Sequence, residues 1–458
     1  MKKLIALLLA VVMVLGLAAC ATKAETPATD TPATDTPATD TPAAEAHTPA
    51  AESTAGTVKI EMWVQGTTEE EANIPYAREV LDYYNKNHPE APLEVDFVLG
   101  GDATAYMQKV LMAASTDTLP AIFRTAAANI LGIPETGVLR DITDYVVGDE
   151  EWNSRMMPVS RELATSLYGE RMYGVPVHAE LSGWFMNKRL FEENGLEIPT
   201  TWEEWVHCIE VLKDAGVTPI AYGAADTWMR WGFDTFFERY GFFENLDGLL
   251  SGDVKYSDVF VPAYDKIDQL AKMGAFNSNV ATATNTEACE LFKAGQAAII
   301  TNGSWQLADF LTSPDAENFV FSWGPEFSDS ESDQKIGVKM CSWTSWVGKK
   351  ATEDEATLTA VLGYLKAFSD EEMVNLWVEK YNGFPAYEYT GDISKLPGLY
   401  QSLLDKNADE YTGVAEMAFY IDPTFEAAYW NSVSAVITQT ATPEEAAQQL
   451  DDAVALVQ

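Results

Sequence analysis

Tryptophan and carboxylate are the side chains of this chain with the most distinctive chemistry to offer. The sequence holds 13 Trp in 458 residues. Each indole carries an N–H that needs a partner, so a core does not comfortably absorb that many. Several are therefore expected to line a site. An indole face suits the C–H face of a sugar ring, and carboxylates and amides around it replace the water bonds lost by the hydroxyls. Other chemistries find no pattern. His47, His88, His178 and His207 form no HExxH or other close cluster, which argues against a His-based metal site. Cys208, Cys289 and Cys341 make no CxxC pair and match no zinc spacing, so they are expected to be mostly buried and structurally minor. Asp329-Ser-Glu331-Ser-Asp333 opens like a calcium loop. Gln334 stands where the loop needs glycine, and the closing Glu is missing, so a solvated acidic loop is expected. No metal and no cofactor are expected. A formal net charge of −41 opposes nucleic acid, polyanions and anionic lipid surfaces.

The elements that position these side chains alternate. Val58–Val64 reads as a strand, 74–87 as a helix ended by His88-Pro89, and 93–98 as a second strand. A helix over 105–114 and a short buried strand over 121–123 follow. This β-α-β-α-β order implies a parallel sheet with helices on its faces, whose ligands sit beyond the carboxyl ends of the strands. Trp63, Gln65 and Arg124 close two of those strands and are site candidates by position. The middle repeats the style. A strand over 183–187 precedes a helix over 188–194. A second helix opens at Thr201, with Glu204 three residues on in the capping-box pattern, and runs to 215. Strands are expected over 219–222 and 297–300, a helix over 283–297, and an aromatic-rich helix or loop over 226–240. Helices are expected over 354–368, 370–380, 397–406, 423–439 and 443–457. About 400 residues of such sequence suit two large lobes.

The chain begins Met1-Lys2-Lys3, followed by an uncharged run over Leu4–Ala19 and then Cys20. That run is shorter than the ~20 residues of a membrane-spanning helix. With Leu17-Ala18-Ala19-Cys20 it resembles a bacterial lipoprotein signal, residues 1–20, with Cys20 as the lipidated residue. The unit Thr-Pro-Ala-Thr-Asp then occurs at Thr26–Asp30, Thr31–Asp35 and Thr36–Asp40. Proline at every fifth position excludes a helix, so residues 21–56 are expected to be a disordered tether, reaching about 110 Å if fully extended.

Several segments together resemble family 1 extracellular solute-binding proteins. Met172-Tyr173-Gly174-Val175-Pro176-Val177 is similar to the family's G-x-x-Y-G-x-P entry. Trp184–Phe191, followed by Gly195-Leu196 and Pro199-Thr200-Thr201-Trp202, is similar to its strand-helix signature. Phe292-Lys-Ala-Gly295 through Asn302-Gly303-Ser304-Trp305, Asn382-Gly383-Phe384-Pro385 and Thr442-Pro443-Glu444-Glu445-Ala446 resemble three more. They run in family order from about residue 58 to the end. Ala121 departs from the pattern, standing where an acidic residue is usual.

The resemblance implies an α/β fold of the type II periplasmic-binding-protein kind, two lobes joined by a hinge with a ligand cleft between them. It places crossovers near Pro176–Glu180, Ile300–Gly303 and Met340–Val347. Lobe one would then be 57–177 plus 302–340, and lobe two 178–301 plus 345–458. It makes Glu180 the ligand-contacting carboxylate and adds Trp228, Trp231, Asp234, Asn302, Trp305 and Trp343 as candidates, with His178 either contacting ligand or packing at the crossover. Trp430 falls where the maltose-binding family also places an aromatic. The function implied is a monomeric, lipid-anchored component of an ABC importer on the extracytoplasmic face. It captures a carbohydrate by hinge closure and delivers it to permease subunits served by a cytoplasmic ATPase. It is not an enzyme and has no nucleic-acid partner. An extracellular glycoside hydrolase, or the same fold with a non-sugar solute, are the alternatives.

Overall fold

Strands β1 (Val58–Val64), β2 (Leu93–Leu99) and β3 (Ile122–Thr125) pair in parallel with β1 in the middle. The helices Ile74–Asn87 and Ala103–Ser115 make the connections. This is the arrangement the alternating apolar pattern implies, because parallel neighbours need a crossover element between them. The computed structural model describes residues 56–126, 130, 132–165, 169–417, 420 and 423–455. The signal with Cys20, and all of the Thr-Pro-Ala repeat, lie outside the described residues.

The sheet continues through two long antiparallel strands, β4 (Gly174–Asn187) and β8 (Ile336–Val347). On the far side lie β6 (Ala297–Gly303) and β5 (Thr218–Ala221), giving the order β2-β1-β3-β8-β4-β6-β5. Two short strands join off this path, β7 (Phe319–Ser322) on β4 and β9 (Thr412–Val414) on β8. The sequence showed only the second half of β4. Pro176 reads as a strand breaker, but it sits beside a break in register, where sheets tolerate proline.

β4 serves both halves of the molecule. Gly174 to His178 pair with Trp346 to Trp343 of β8, next to β3. Ser182 to Met186 pair with β6 on the other side. Between them the β4–β8 register shifts twice, around His178 and up to Glu180. Such irregularities bend a strand and re-aim its side chains. Every residue of β4 is buried except Glu180, which is half-buried.

Helix packing corrects the lobe boundaries read from the sequence. Residues 302–340 were expected with the first lobe. β7 instead pairs with Trp184–Asn187, and Phe310 packs edge-on to Phe185 at 4.9 Å, so this stretch belongs with the β5–β6 half. Residues 345–458 were expected with the second lobe. The helix Glu355–Ala367 instead lies on Ile74–Asn87 and β1, with the Tyr364 hydroxyl donating to the Ala77 carbonyl at 2.9 Å. The Tyr76 hydroxyl likewise donates to the Met373 carbonyl at 3.1 Å, tying down the helix Glu371–Tyr381. The chain returns to the other half only after that helix. Gly398–Asn407 packs on β7, and Pro423–Ile437 and Pro443–Val454 pack on Val261–Met273. Strand crossings are therefore made in β4 and β8, while β6 stays in one half. A strand reading of Ile300–Gly303 could not reveal this, because both neighbours of β6 are distant in sequence.

Local signals behave as their chemistry dictates. Thr201 and Glu204 form the reciprocal capping box. Cys208 and Cys289 are buried free thiols, and the side chain of Cys341 lies outside the described residues. Asp329 accepts from the Tyr240 hydroxyl at 2.6 Å and pairs with Lys266 at 2.7 Å. Among the described residues no helix is long and apolar enough to cross a membrane, and no cluster of metal-ligating side chains occurs.

Gly183 sits in β4 between β6 and β7, where an added Cβ would lie 2.8 Å from both the Phe321 ring and the Ser322 carbonyl oxygen. Gly183→Ala is expected to cost about 1–3 kcal/mol by overpacking. Thermal unfolding checks this as a lowered melting temperature with unchanged far-UV circular dichroism.

Candidate functional site

A cavity of about 620 Å³ opens where the two halves meet, and both contribute to its walls. From the β1–β3 half come Gln65, just past β1, and Asn73, at the start of the helix Ile74–Asn87. The bulged segment of β4 supplies His178, Ala179 and Glu180, and β8 supplies Trp343. Trp377 and Tyr381 reach in from the helix Glu371–Tyr381. The other half adds Trp231, Trp305, Glu416 and Glu426.

Two of the tryptophans are placed by neighbouring glycines. A Cβ on Gly303 would collide with the Trp305 ring, and one on Gly383 would collide with the Trp377 ring. In each case the missing side chain lets an indole lie against the backbone. Trp231 then meets Trp305 edge-on at 4.7 Å, and Trp228 meets Trp231 at 5.1 Å. Trp377 lies 4.1 Å from the His178 ring and stacks on Tyr381 at 5.9 Å. The cavity therefore presents aromatic surface from both sides.

Of the residues singled out from sequence, Gln65, Glu180, Trp231, Trp305 and Trp343 line the cavity, as does His178. The others lie elsewhere. Trp63 is outside it, its indole N–H donating to Glu61 at 2.9 Å and Lys109 sitting 3.9 Å over its ring. Position at a strand end did not settle direction, because alternate residues point to opposite faces. Trp228 is 37% exposed, one ring further out than Trp231. Asn302 is buried and turned into the protein, its amide donating to Asn285 at 3.2 Å and its carbonyl accepting from the Gly303 N–H at 2.9 Å. Asp234 is fully buried beneath the floor, accepting from the Tyr429 hydroxyl at 2.7 Å, with Arg230 at 3.6 Å. Trp430 is half-buried beside the Arg230 guanidinium at 5.3 Å. Arg124 is buried at one end of the cavity.

Sequence reasoning missed Glu71, Asn73, Trp377, Tyr381, Glu416 and Glu426. A signal existed for some of them. Trp377 and Tyr381 share a helix face at i, i+4, just before Asn382-Gly383. Glu416 is the one charge in the apolar run Val414–Phe419.

Charge divides the cavity. Glu416 accepts from Arg230 at 2.8 Å, so this buried arginine has its anion. Burial pushes Glu426 up to about 7 against the pull of Arg230, and pushes Asp234 up to about 7 as well. Glu238, buried without a partner among the described residues, is raised well above the carboxylate range for the same reason. At the other end, the Thr67 backbone N–H and hydroxyl both donate to Glu71 at 2.8 Å and hold it low. His178 is driven well below its ordinary value by burial and by the Arg124 charge, and is neutral.

Glu426 gives a signed pH effect. Its folded-state value lies above the unfolded one, so the folded protein binds its proton more tightly. That stabilisation is present below about pH 4.5 and is lost as pH rises through about 7. Glu426→Gln is expected to flatten the melting-temperature profile between pH 5 and pH 8, by roughly 1–3 kcal/mol across that range.

Two α/β halves joined by crossing strands, with an aromatic-walled cavity at their junction, define a bilobal binding protein of the type II kind, and known structures share this fold. A chitin oligosaccharide binding protein superposes with a TM-score of 0.73 at 19% identity, covering 86% of this chain and 98% of that one. A protein from work on xylan utilization by Caldanaerobius polysaccharolyticus gives 0.72 at 24% identity, covering 86% and 99%. A multiple sugar-binding protein of Streptococcus mutans serotype c is 28% identical over 149 residues, 30% of this chain and 34% of that protein. A probable sugar-binding periplasmic protein of Brucella melitensis biotype 1 is 24% identical over 222 residues, 47% of this chain and 50% of its own length. These alignments thus span a third to a half of the relatives. Residues 68–362 match the bacterial extracellular solute-binding proteins, and the chain belongs to that family.

Proposed function

We propose that this protein captures a carbohydrate, an oligosaccharide, in the cavity between its halves, and that it performs no covalent chemistry. It delivers the ligand to the permease subunits of an ABC importer, served by a cytoplasmic ATPase. The observation that carries the reading is the pairing of Trp231 and Trp305 on one side with Trp343, Trp377 and Tyr381 on the other, around carboxylates. Aromatic faces take the C–H faces of sugar rings, and Gln65, Glu180 and Glu416 take hydroxyls on the rim. A cavity of about 620 Å³ falls within the ordinary range for small ligands. Relatives named for sugars, and others named for sn-glycerol-3-phosphate, support a solute of sugar-like size.

In this reading the lobes are 57–178 plus 343–382 and 180–340 plus 385–455, and they close over the ligand by bending at His178–Glu180 and in β8. Residues 1–20 are removed up to Cys20, which is lipidated, and residues 21–56 tether a monomer to the extracytoplasmic face of the membrane. Cys20→Ser is expected to move the protein from the membrane fraction to the medium or periplasm, and cell fractionation checks this.

Calorimetric titration of the purified protein against neutral mono- and oligosaccharides, with tryptophan fluorescence read in parallel, tests the function. Saturable binding of a sugar with a fluorescence change and no product supports it. Turnover of a glycan would replace it with a hydrolase. Trp305→Ala is expected to weaken the ligand at least tenfold, about 1.4 kcal/mol, without changing the melting temperature of the free protein by more than a few degrees.

A further inference from the structure

Arg124 is 3% exposed, and its two terminal guanidinium nitrogens are buried with no hydrogen-bond partner among the described residues. Its remaining contacts are weak: Nε lies 3.4 Å from the Ser345 hydroxyl, and the guanidinium sits 5.4 Å over the Phe368 ring. The ionisable groups that act on its charge are the phenols of Tyr364, Tyr76 and Tyr106, which burial keeps neutral and which therefore supply no counter-charge; no carboxylate is among them. A guanidinium does not shed its proton in a protein. It is therefore a buried cation without a counter-ion among the described residues, a costly arrangement unless something supplies the anion.

Arg124 lines a small recess off the main cavity, which shares Gln65, Glu71, Asn73, His178 and Trp343 with it. The recess holds about 20 Å³, room for one oxygen-sized group and not for a ring. A second source of positive potential converges there. The helix Ile74–Asn87 begins at Asn73, on the wall of the recess, with no acidic residue in its first turn and no side-chain cap. The Ile74 N–H donates to the Glu69 carbonyl at 2.9 Å and Pro75 has none, so this terminus favours an anion through the helix dipole. Glu71 also borders the recess, but one of its carboxylate oxygens accepts both donors of Thr67. The neighbouring His178 is neutral and adds no charge.

We propose that this recess is an anion subsite, and that the preferred ligand is an acidic sugar whose carboxylate or phosphate group seats an oxygen against Arg124. The inference rests on the carbohydrate reading of the cavity and narrows it. The chain's large negative charge opposes polyanions, so a single acidic group on an otherwise neutral sugar fits best. A neutral sugar would leave the guanidinium short of an anion, which makes the acidic group a source of specificity as well as affinity.

The test is a paired titration of the purified full-length protein: glucuronic acid against glucose, galacturonic acid against galactose, glucose 6-phosphate against glucose, and cellobiouronic acid, with its single carboxylate, against cellobiose. The expected result is a preference of about tenfold or more for the acid in at least one pair, weakening with salt and lost in Arg124→Met. The uronate and phosphate pairs separate the two sources of the anion. Arg124→Met should also raise the melting temperature of the ligand-free protein, because it removes an uncompensated buried charge. A lowered melting temperature would make Arg124 a structural residue and overturn the subsite. Neutral sugars bound as tightly as their acids would overturn it too, while leaving the carbohydrate function standing. Failure of every sugar, acidic and neutral, would overturn both.

Discussion

Everything about the site depends on one constraint: a strand buried on both faces must also carry a charge. β4 is enclosed by β8, β6 and β7 over most of its length, so its backbone groups are satisfied in the sheet and its side chains are buried. Glu180 is the exception, and it falls where the pairing with β8 breaks register. A regular strand would turn such a side chain into one sheet face or the other. The irregularity turns it toward the junction instead, and the same bend lets one sheet serve two halves. Cleft, carboxylate and crossing are consequences of a single departure from regular pairing.

Two buried arginines show how the same side chain does different work in different company. Arg230 has Glu416 at 2.8 Å and Asp234 at 3.6 Å, and both carboxylates lie in a cluster with Glu426 and Tyr429. Its charge is balanced within the protein and organises the floor of the cavity. Arg124 has no such partner among the described residues, and burial lowers its pKa. A balanced buried pair mainly holds a structure together, whereas an unbalanced one stores free energy that a complementary group can release.

Aromatic placement follows a simpler rule. Gly303 and Gly383 carry no side chain because an indole occupies the space a Cβ would need. Both stand in Asn-Gly sequences, with Gly303 two residues before Trp305 and Gly383 six residues after Trp377. In the second case Asn382 adopts a left-handed backbone at φ 52, ending the helix so that Trp377 and Tyr381 face inward. Close approach of ring to backbone thus explains why those motifs take the form they do.

The sequence alone determined the element types, the parallel β-α-β opening, the capping at Thr201 and the richness in tryptophan, because each rests on local periodicity or composition. It also carried Gln65, Glu180, Trp231, Trp305 and Trp343 toward the cavity. Which half each late segment joins was decided only by tertiary structure. The helix Glu355–Ala367 packs on Ile74–Asn87 across nearly three hundred residues, and an amphipathic helix does not record which apolar surface will cover it. Direction was likewise beyond the sequence. Trp63 and Asn302 sit at the right strand ends but face away from the cavity, while Glu416 reaches it from just past the three-residue β9 and Glu426 from the helix Pro423–Ile437. Periodicity assigns a residue to a face, and only the assembled sheet says what that face looks upon.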